Sequence, residues 1–87
     1  MLTGKTKSGF EFEIDEEILD DYEFLELLCR IDEGESVLVI KMVDHLLGAE
    51  QKEKLKNHVR IETGRVSAKR LLEETMEIFN ATKEGKN

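Results

Sequence analysis

The sequence predicts a mainly α-helical single domain in which four short helices pack with a small N-terminal β-hairpin. Three observations lead there. Residues 10–14 alternate apolar and acidic, later apolar residues recur at helical spacing in successive segments, and no proline interrupts any of them. Eighty-seven residues suffice for one core, with little to spare.

Residues 1–14 make the hairpin. Phe10, Phe12 and Ile14 alternate with Glu11 and Glu13, Lys7-Ser8-Gly9 supplies the turn, and residues 2–5 form the partner strand. A lone hairpin is marginal in water, so its apolar face must cover the helices that follow. Those helices occupy residues 21–82, and residues 83–87 are expected to fray.

The first helix is expected over residues 21–32. Asp20 serves as N-cap, Glu23 completes a capping box, and Leu19 with Phe24 forms a hydrophobic staple. Phe24, Leu27, Leu28 and Ile31 set the buried stripe, which Leu25 and Cys29 widen. Cys29 is thus expected to be a small buried hydrophobe, and Gly34 stops the helix.

Residues 36–47 pull two ways. Val37, Val39, Ile40 and Val43 favour a strand by propensity. Twelve residues between a Ser36 cap and a Gly48 stop favour a helix buried on nearly all sides, and a helix is expected. The chain turns sharply at Gly48 into a separate surface helix, residues 49–61, whose thin apolar face is Leu55, Val59 and Ala49. After a loop at residues 62–65, Ser67 caps a last helix with the stripe Ala68, Leu71, Leu72, Thr75, Met76 and Phe79. Ile78 lies off that stripe and is expected to face solvent or a partner.

The net charge of −7 is unevenly spread: residues 1–35 hold twelve acids and three bases, residues 36–87 eight acids and ten bases. Such asymmetry steers partners of opposite charge to different faces. Phosphate-backbone binding by the whole domain is disfavoured, because it needs a basic surface. One cysteine excludes an internal disulfide and suits a reducing compartment. No apolar run is long enough to span a bilayer, and the N-terminus lacks a signal-peptide core, so a cytoplasmic protein without a membrane partner is expected.

Residues suited to chemistry are sparse. His45 and His58 fall on different helices, and the run Asp32-Glu33-Gly34-Glu35 lacks the alternating ligands of a calcium loop. Ser8, Ser36 and Ser67 stand at turns or caps. No glycine-rich loop precedes a helix. No catalytic residue, metal ligand or cofactor is assigned, and the chain is expected not to be an enzyme. Arg60, Arg65, Lys69 and Arg70 form a basic cluster, and Lys69 and Arg70 oppose the dipole in the last helix's first turn. They meet either a partner or the acidic N-terminal half. No aromatic residue interleaves them, so stacking on single-stranded nucleic acid is unsupported.

Several landmarks recur in a familiar order. They are Phe12-Glu13-Ile14-Asp15, Leu19-Asp20-Asp21, Leu25-Glu26-Leu27-Leu28, Ile31-Asp32-Glu33-Gly34, Leu46-Leu47-Gly48-Ala49-Glu50-Gln51 and Gly64-Arg65-Val66-Ser67. Over residues 10–80 the chain resembles small tail assembly chaperones of tailed bacteriophages and prophages, particularly those of Gram-positive hosts. The resemblance implies binding to the tape measure protein and recruitment of tail tube subunits; a homo-oligomer is a separate expectation, and a purely structural self-associating subunit is a further reading. The resemblance also implies, in many phages, a frameshifted longer form, for which Gly85-Lys86-Asn87 would mark the site. Helix-in-groove binding suits such a role. The candidate protein-binding residues are Tyr22, Phe24, Arg65, Arg70 and Ile78, with Met76 beside Ile78. Replacing Tyr22 and Ile78 together by alanine is expected to weaken client binding without unfolding. The competing expectation is an acidic phage inhibitor that mimics DNA and occupies a host nucleic-acid-binding protein.

Overall fold

The alternation at residues 10–14 becomes a two-stranded antiparallel sheet in the computed structural model, which describes residues 1–84. Strand β1 (Leu2–Lys5) pairs with β2 (Glu11–Ile14) in the register Leu2↔Ile14, Thr3↔Glu13, Gly4↔Phe12 and Lys5↔Glu11. Phe10, Phe12 and Ile14 are buried while Glu11 and Glu13 stay exposed, as the period of two demands. The Thr6 amide donates to the Phe10 carbonyl, and the Thr6 hydroxyl accepts from the Phe10 amide, so the turn closes with its threonine buried.

Between hairpin and helices, Glu16–Asp20 makes a 3₁₀ turn that the sequence reading did not anticipate. Asp15 caps it by accepting from the Glu17 amide at 3.0 Å. The extra turn moves the next cap by one residue. Asp21, not Asp20, is the N-cap of α1 (Tyr22–Asp32): its backbone is extended and its carboxylate accepts from the Glu23 and Phe24 amides.

Among the described residues three α-helices follow rather than four. The two middle segments run as one element, α2 (Val39–His58), bent at Gly48, whose φ of 79° and ψ of 165° are not helical. No linker separates the halves, so a single glycine in a conformation costly to other residues supplies the whole change of direction. Val39, Ile40 and Val43 are helical, as the length of the run favoured, but the segment is not buried on nearly all sides: Val37 stays in the preceding turn, 77% exposed, and Ile40 is 70% exposed. Ser36 does not cap it: Ser36–Leu38 is a 3₁₀ turn preceded by Glu35, without a side-chain cap. The last helix, α3 (Ala68–Glu84), starts where expected, with the Arg70 amide donating to the Ser67 hydroxyl. The helix extends through Lys83 and Glu84, and Gly85-Lys86-Asn87 lies outside the described residues.

Phe10, Phe12, Ile14, Phe24, Met42, Val43, Leu46, Leu47, Leu55, Val59 and Ile78 form the core. Two placements differ from expectation. Cys29 is exposed, because α1 packs through Phe24, Leu28 and Ile31 and nothing covers its adjacent flank. Ile78 is fully buried, because α3 is rotated about its axis. Its inward face is Leu71, Thr75, Ile78 and Thr82, leaving Leu72 and Met76 38% and 45% exposed. Burying two threonines costs little here, since the Thr75 hydroxyl donates to the Leu71 carbonyl and the Thr82 hydroxyl to the Ile78 carbonyl. No helix among the described residues is long and apolar enough to cross a membrane.

Candidate protein-binding groove

Helices α1 and α3 each pack against α2 and leave a furrow between them. Leu28, Ile31 and Asp32 of α1 form one wall; Leu72, Met76 and Phe79 of α3 form the other. Val39 and Met42 of α2 make the floor. The rings of Phe24 and Phe79, 5.9 Å apart and tilted by 58°, bridge the walls. The furrow encloses about 280 Å³, short of the roughly 300–1,000 Å³ typical of small-molecule pockets. Its apolar lining and open top suit a few side chains presented by another protein.

The rim is charged. Asp32 stands exposed at the end of α1, and Lys69 and Lys83 stand near the two ends of α3. None of these three is in an ion pair among the described residues. Lys83 lies 5.4 Å from the centre of the Phe79 ring. Arg30, on the far side of α1, is already engaged: its Nε and Nη2 donate to the two carboxylate oxygens of Glu35 at 3.1 and 2.9 Å. That fork holds Glu35 below the usual carboxylate range and raises Arg30 further.

Other depressions lack convergent chemistry. One, about 1000 Å³, is an open hollow between the hairpin and residues 45–54, with a mixed lining that includes Glu11, Glu13, His45, Leu46, Glu50 and Lys54. A polar knot behind the hairpin tip brings Ser8, His58 and Glu74 together. The Ser8 hydroxyl donates its single proton to Glu74 at 2.8 Å, so His58 Nε2, 2.9 Å away, must be the donor to Ser8. A histidine in that role is not a base for the serine, and the order differs from a nucleophile–base–carboxylate relay. The knot is mechanical: with the Lys7 amide donating to Glu77, it ties the hairpin tip to the end of α2 and the middle of α3. No three His, Cys, Asp or Glu side chains among the described residues are placed to share a metal ion.

The residues singled out from sequence are scattered. Tyr22 is 75% exposed at the start of α1, on the flank that carries Leu25 and Cys29. Phe24 and Ile78 are fully buried and cannot meet a partner without unfolding. Arg65 and Arg70 are exposed and in no ion pair among the described residues, so the acidic N-terminal half does not take them up. Arg70 lies two residues before Leu72, on the other side of α3 from the furrow. Arg60 is spent locally, donating to Asn57 and to the Gly64 carbonyl. The furrow residues Leu28, Ile31, Val39, Leu72 and Phe79 were read as core, and of the wall only Met76 had been marked as a contact. A signal existed: Lys69, Leu72, Met76, Phe79 and Lys83 follow a heptad-like 3-4 spacing, half of it unsatisfied within the chain.

The fold and furrow define a small helical domain with an open apolar groove. No family model matches the chain, and no curated protein or solved structure is similar to it.

Proposed function

We propose that this chain is a non-enzymatic protein-binding protein that receives a helical segment of its partner between α1 and α3. The observation that carries the proposal is the furrow's lining, seven apolar side chains and one aspartate, of which the described residues leave Leu72 and Met76 exposed. A short apolar trough between two helices suits a few side chains on one face of a partner helix. A helix laid in the furrow would bury Leu72 and Met76 and complete a three-helix layer over Val39 and Met42. The small enclosed volume favours binding weak enough to be released.

The finer proposal is a phage tail assembly chaperone acting in the cytoplasm of the bacterial host. Its client would be the tape measure protein, held apart from other copies while tail tube subunits are recruited. Support for it comes from the order of sequence landmarks over residues 10–80, and the furrow supplies a mechanism. The test is co-expression with the longest coiled-coil-like protein encoded beside this chain. The client should become soluble and co-purify, and Met76→Glu should abolish co-purification while the variant keeps its helical circular dichroism. A client that stays insoluble, or that binds Met76→Glu equally well, would overturn the proposal.

A further inference from the structure

Helix α1 turns a second face to solvent, opposite the one that Phe24, Leu28 and Ile31 pack inward. Tyr22, Leu25 and Cys29 fall there at i, i+3 and i+7; Tyr22 is 75% exposed, Leu25 44%, and Cys29 is exposed too. The strip is roughly 10 Å long at the rise of an α-helix, and its spacing is that of a helix paired with another. None of the three lines the furrow. Acidic residues surround the strip. Residues 15–35 hold ten Asp or Glu and one base, Arg30. Glu26 and Glu33 stand on the side of the strip away from the furrow, Asp32 on the side towards it, and Asp20 and Glu23 near its N-terminal end. All five are exposed, and none is in an ion pair among the described residues. Arg30 is engaged by Glu35.

We propose that this outer face of α1 is a docking site for a basic amphipathic helix of another protein, one whose apolar stripe is edged by lysine or arginine. The stripe covers Tyr22, Leu25 and Cys29. Its bases meet Glu26 and Glu33 along one edge and Asp32 along the other, where no cation of this chain competes for them. Charge decides the sign of the partner, because opposite potentials across a contact steer it and fix its register. The apolar strip decides its kind. A globular nucleic-acid-binding protein would be drawn by the carboxylates alone and would gain nothing from an exposed tyrosine and leucine at helical spacing. An aromatic ring with a polar tip is the side chain that contacts between proteins favour. Charge also sorts this face from the furrow, whose α3 wall has Lys69 and Lys83 near its two ends. The site lies apart from the furrow and does not depend on the function proposed above.

The experiment titrates the isotope-labelled full chain with two designed helical peptides, read by calorimetry and by NMR shift changes. Both peptides carry the same leucine stripe; one is edged by lysine, the other by glutamate. The lysine peptide should bind, shift the amides of residues 22–33, and bind less tightly as salt rises. The glutamate peptide should leave those amides unmoved. Tyr22→Ala/Leu25→Ala should weaken the lysine peptide about tenfold, the scale of losing central contact side chains. Glu26→Lys/Glu33→Lys should weaken it at least as much, and both variants should keep the circular dichroism of wild type. Met76→Glu, in the furrow, should bind it unchanged. A lysine peptide that ignores Tyr22→Ala/Leu25→Ala would overturn the proposal and leave only an acidic surface open to any basic protein. Shifts confined to residues 72–79, or binding lost in Met76→Glu, would overturn it in favour of the furrow. Binding of neither peptide, or of both equally, would overturn it as well. A client that fails to dock in the furrow would overturn the function proposed above and leave this site standing.

Discussion

The side-chain amide of Gln51 closes on the backbone of Glu13: its Oε1 accepts from the Glu13 amide at 2.7 Å, and its Nε2 donates to the Glu13 carbonyl at 2.6 Å. Gln51 thereby stands in for a third strand on the open edge of β2, and a second bond from Nε2 to the Leu47 carbonyl fixes its orientation. The bend at Gly48 is what brings Gln51 there. Gln51→Ala should cost about 0.5–1.5 kcal/mol, lowering Tm by roughly 4–8 °C per kcal/mol for a domain of this size. The Glu13 amide should exchange with solvent faster. An unchanged exchange rate would mean that the sheet edge needs no cover.

Gly4 faces Phe12 across the sheet, and the ring occupies the space a side chain on residue 4 would need. A Cβ there would lie 2.6 Å from Phe12 Cζ. Alanine in a strand gains about 0.5–1 kcal/mol over glycine in chain entropy, but moving a buried ring costs about 1–3 kcal/mol. The clash wins, so Gly4→Ala should destabilise the domain in chemical denaturation. Adding Phe12→Leu should recover part of the loss relative to Phe12→Leu alone.

The hairpin, the helical character of the β-branched run and the Ser67 cap were legible because each rests on local chemistry: period, length, or a hydroxyl one turn from the amide it caps. The orientation of α3 was not. Thr75 was placed in the buried stripe but Thr82 was not; the hydroxyls of both return to carbonyls of their own helix, which permits burial and carries Ile78 inward. The separation of two helices at Gly48 was overread, since one residue can bend an element without ending it. The furrow was hidden for another reason. It arises from the spacing of α1 and α3 across α2, a non-local property, and its lining has the same apolar character as a core.

The fork between Arg30 and Glu35 fastens the end of α1 to the turn that follows, and it makes a pH signature. Hydrogen bonding to Arg30 lowers the Glu35 pKa in the folded state, so between the lowered and the ordinary value the unfolded chain binds more protons. Stability contributed by the fork is therefore complete above the ordinary glutamate range and is lost as pH falls through the lowered value. Both groups are solvent-exposed, so the effect on stability is small. An NMR titration should place the Glu35 carboxyl below ordinary glutamates, and Arg30→Ala should return it to them. An ordinary value in the wild-type chain would show that the fork is not formed in solution.

Tyr22 and Ile78 looked alike from sequence, both large and off the main stripes, and the fold separates them completely. Ile78 is fully buried, whereas Tyr22 is three-quarters exposed and makes no hydrogen bond among the described residues. Ile78→Ala should cost about 2–5 kcal/mol, the range for truncating a buried aliphatic side chain, a large share of what an 87-residue domain possesses. Tyr22→Ala should fall within about 0.5 kcal/mol of wild type. Equilibrium urea unfolding of the two single variants reads the contrast directly. If both are near neutral, α3 is not packed through Ile78, and the exposure of Leu72 and Met76 on which the furrow depends falls with it.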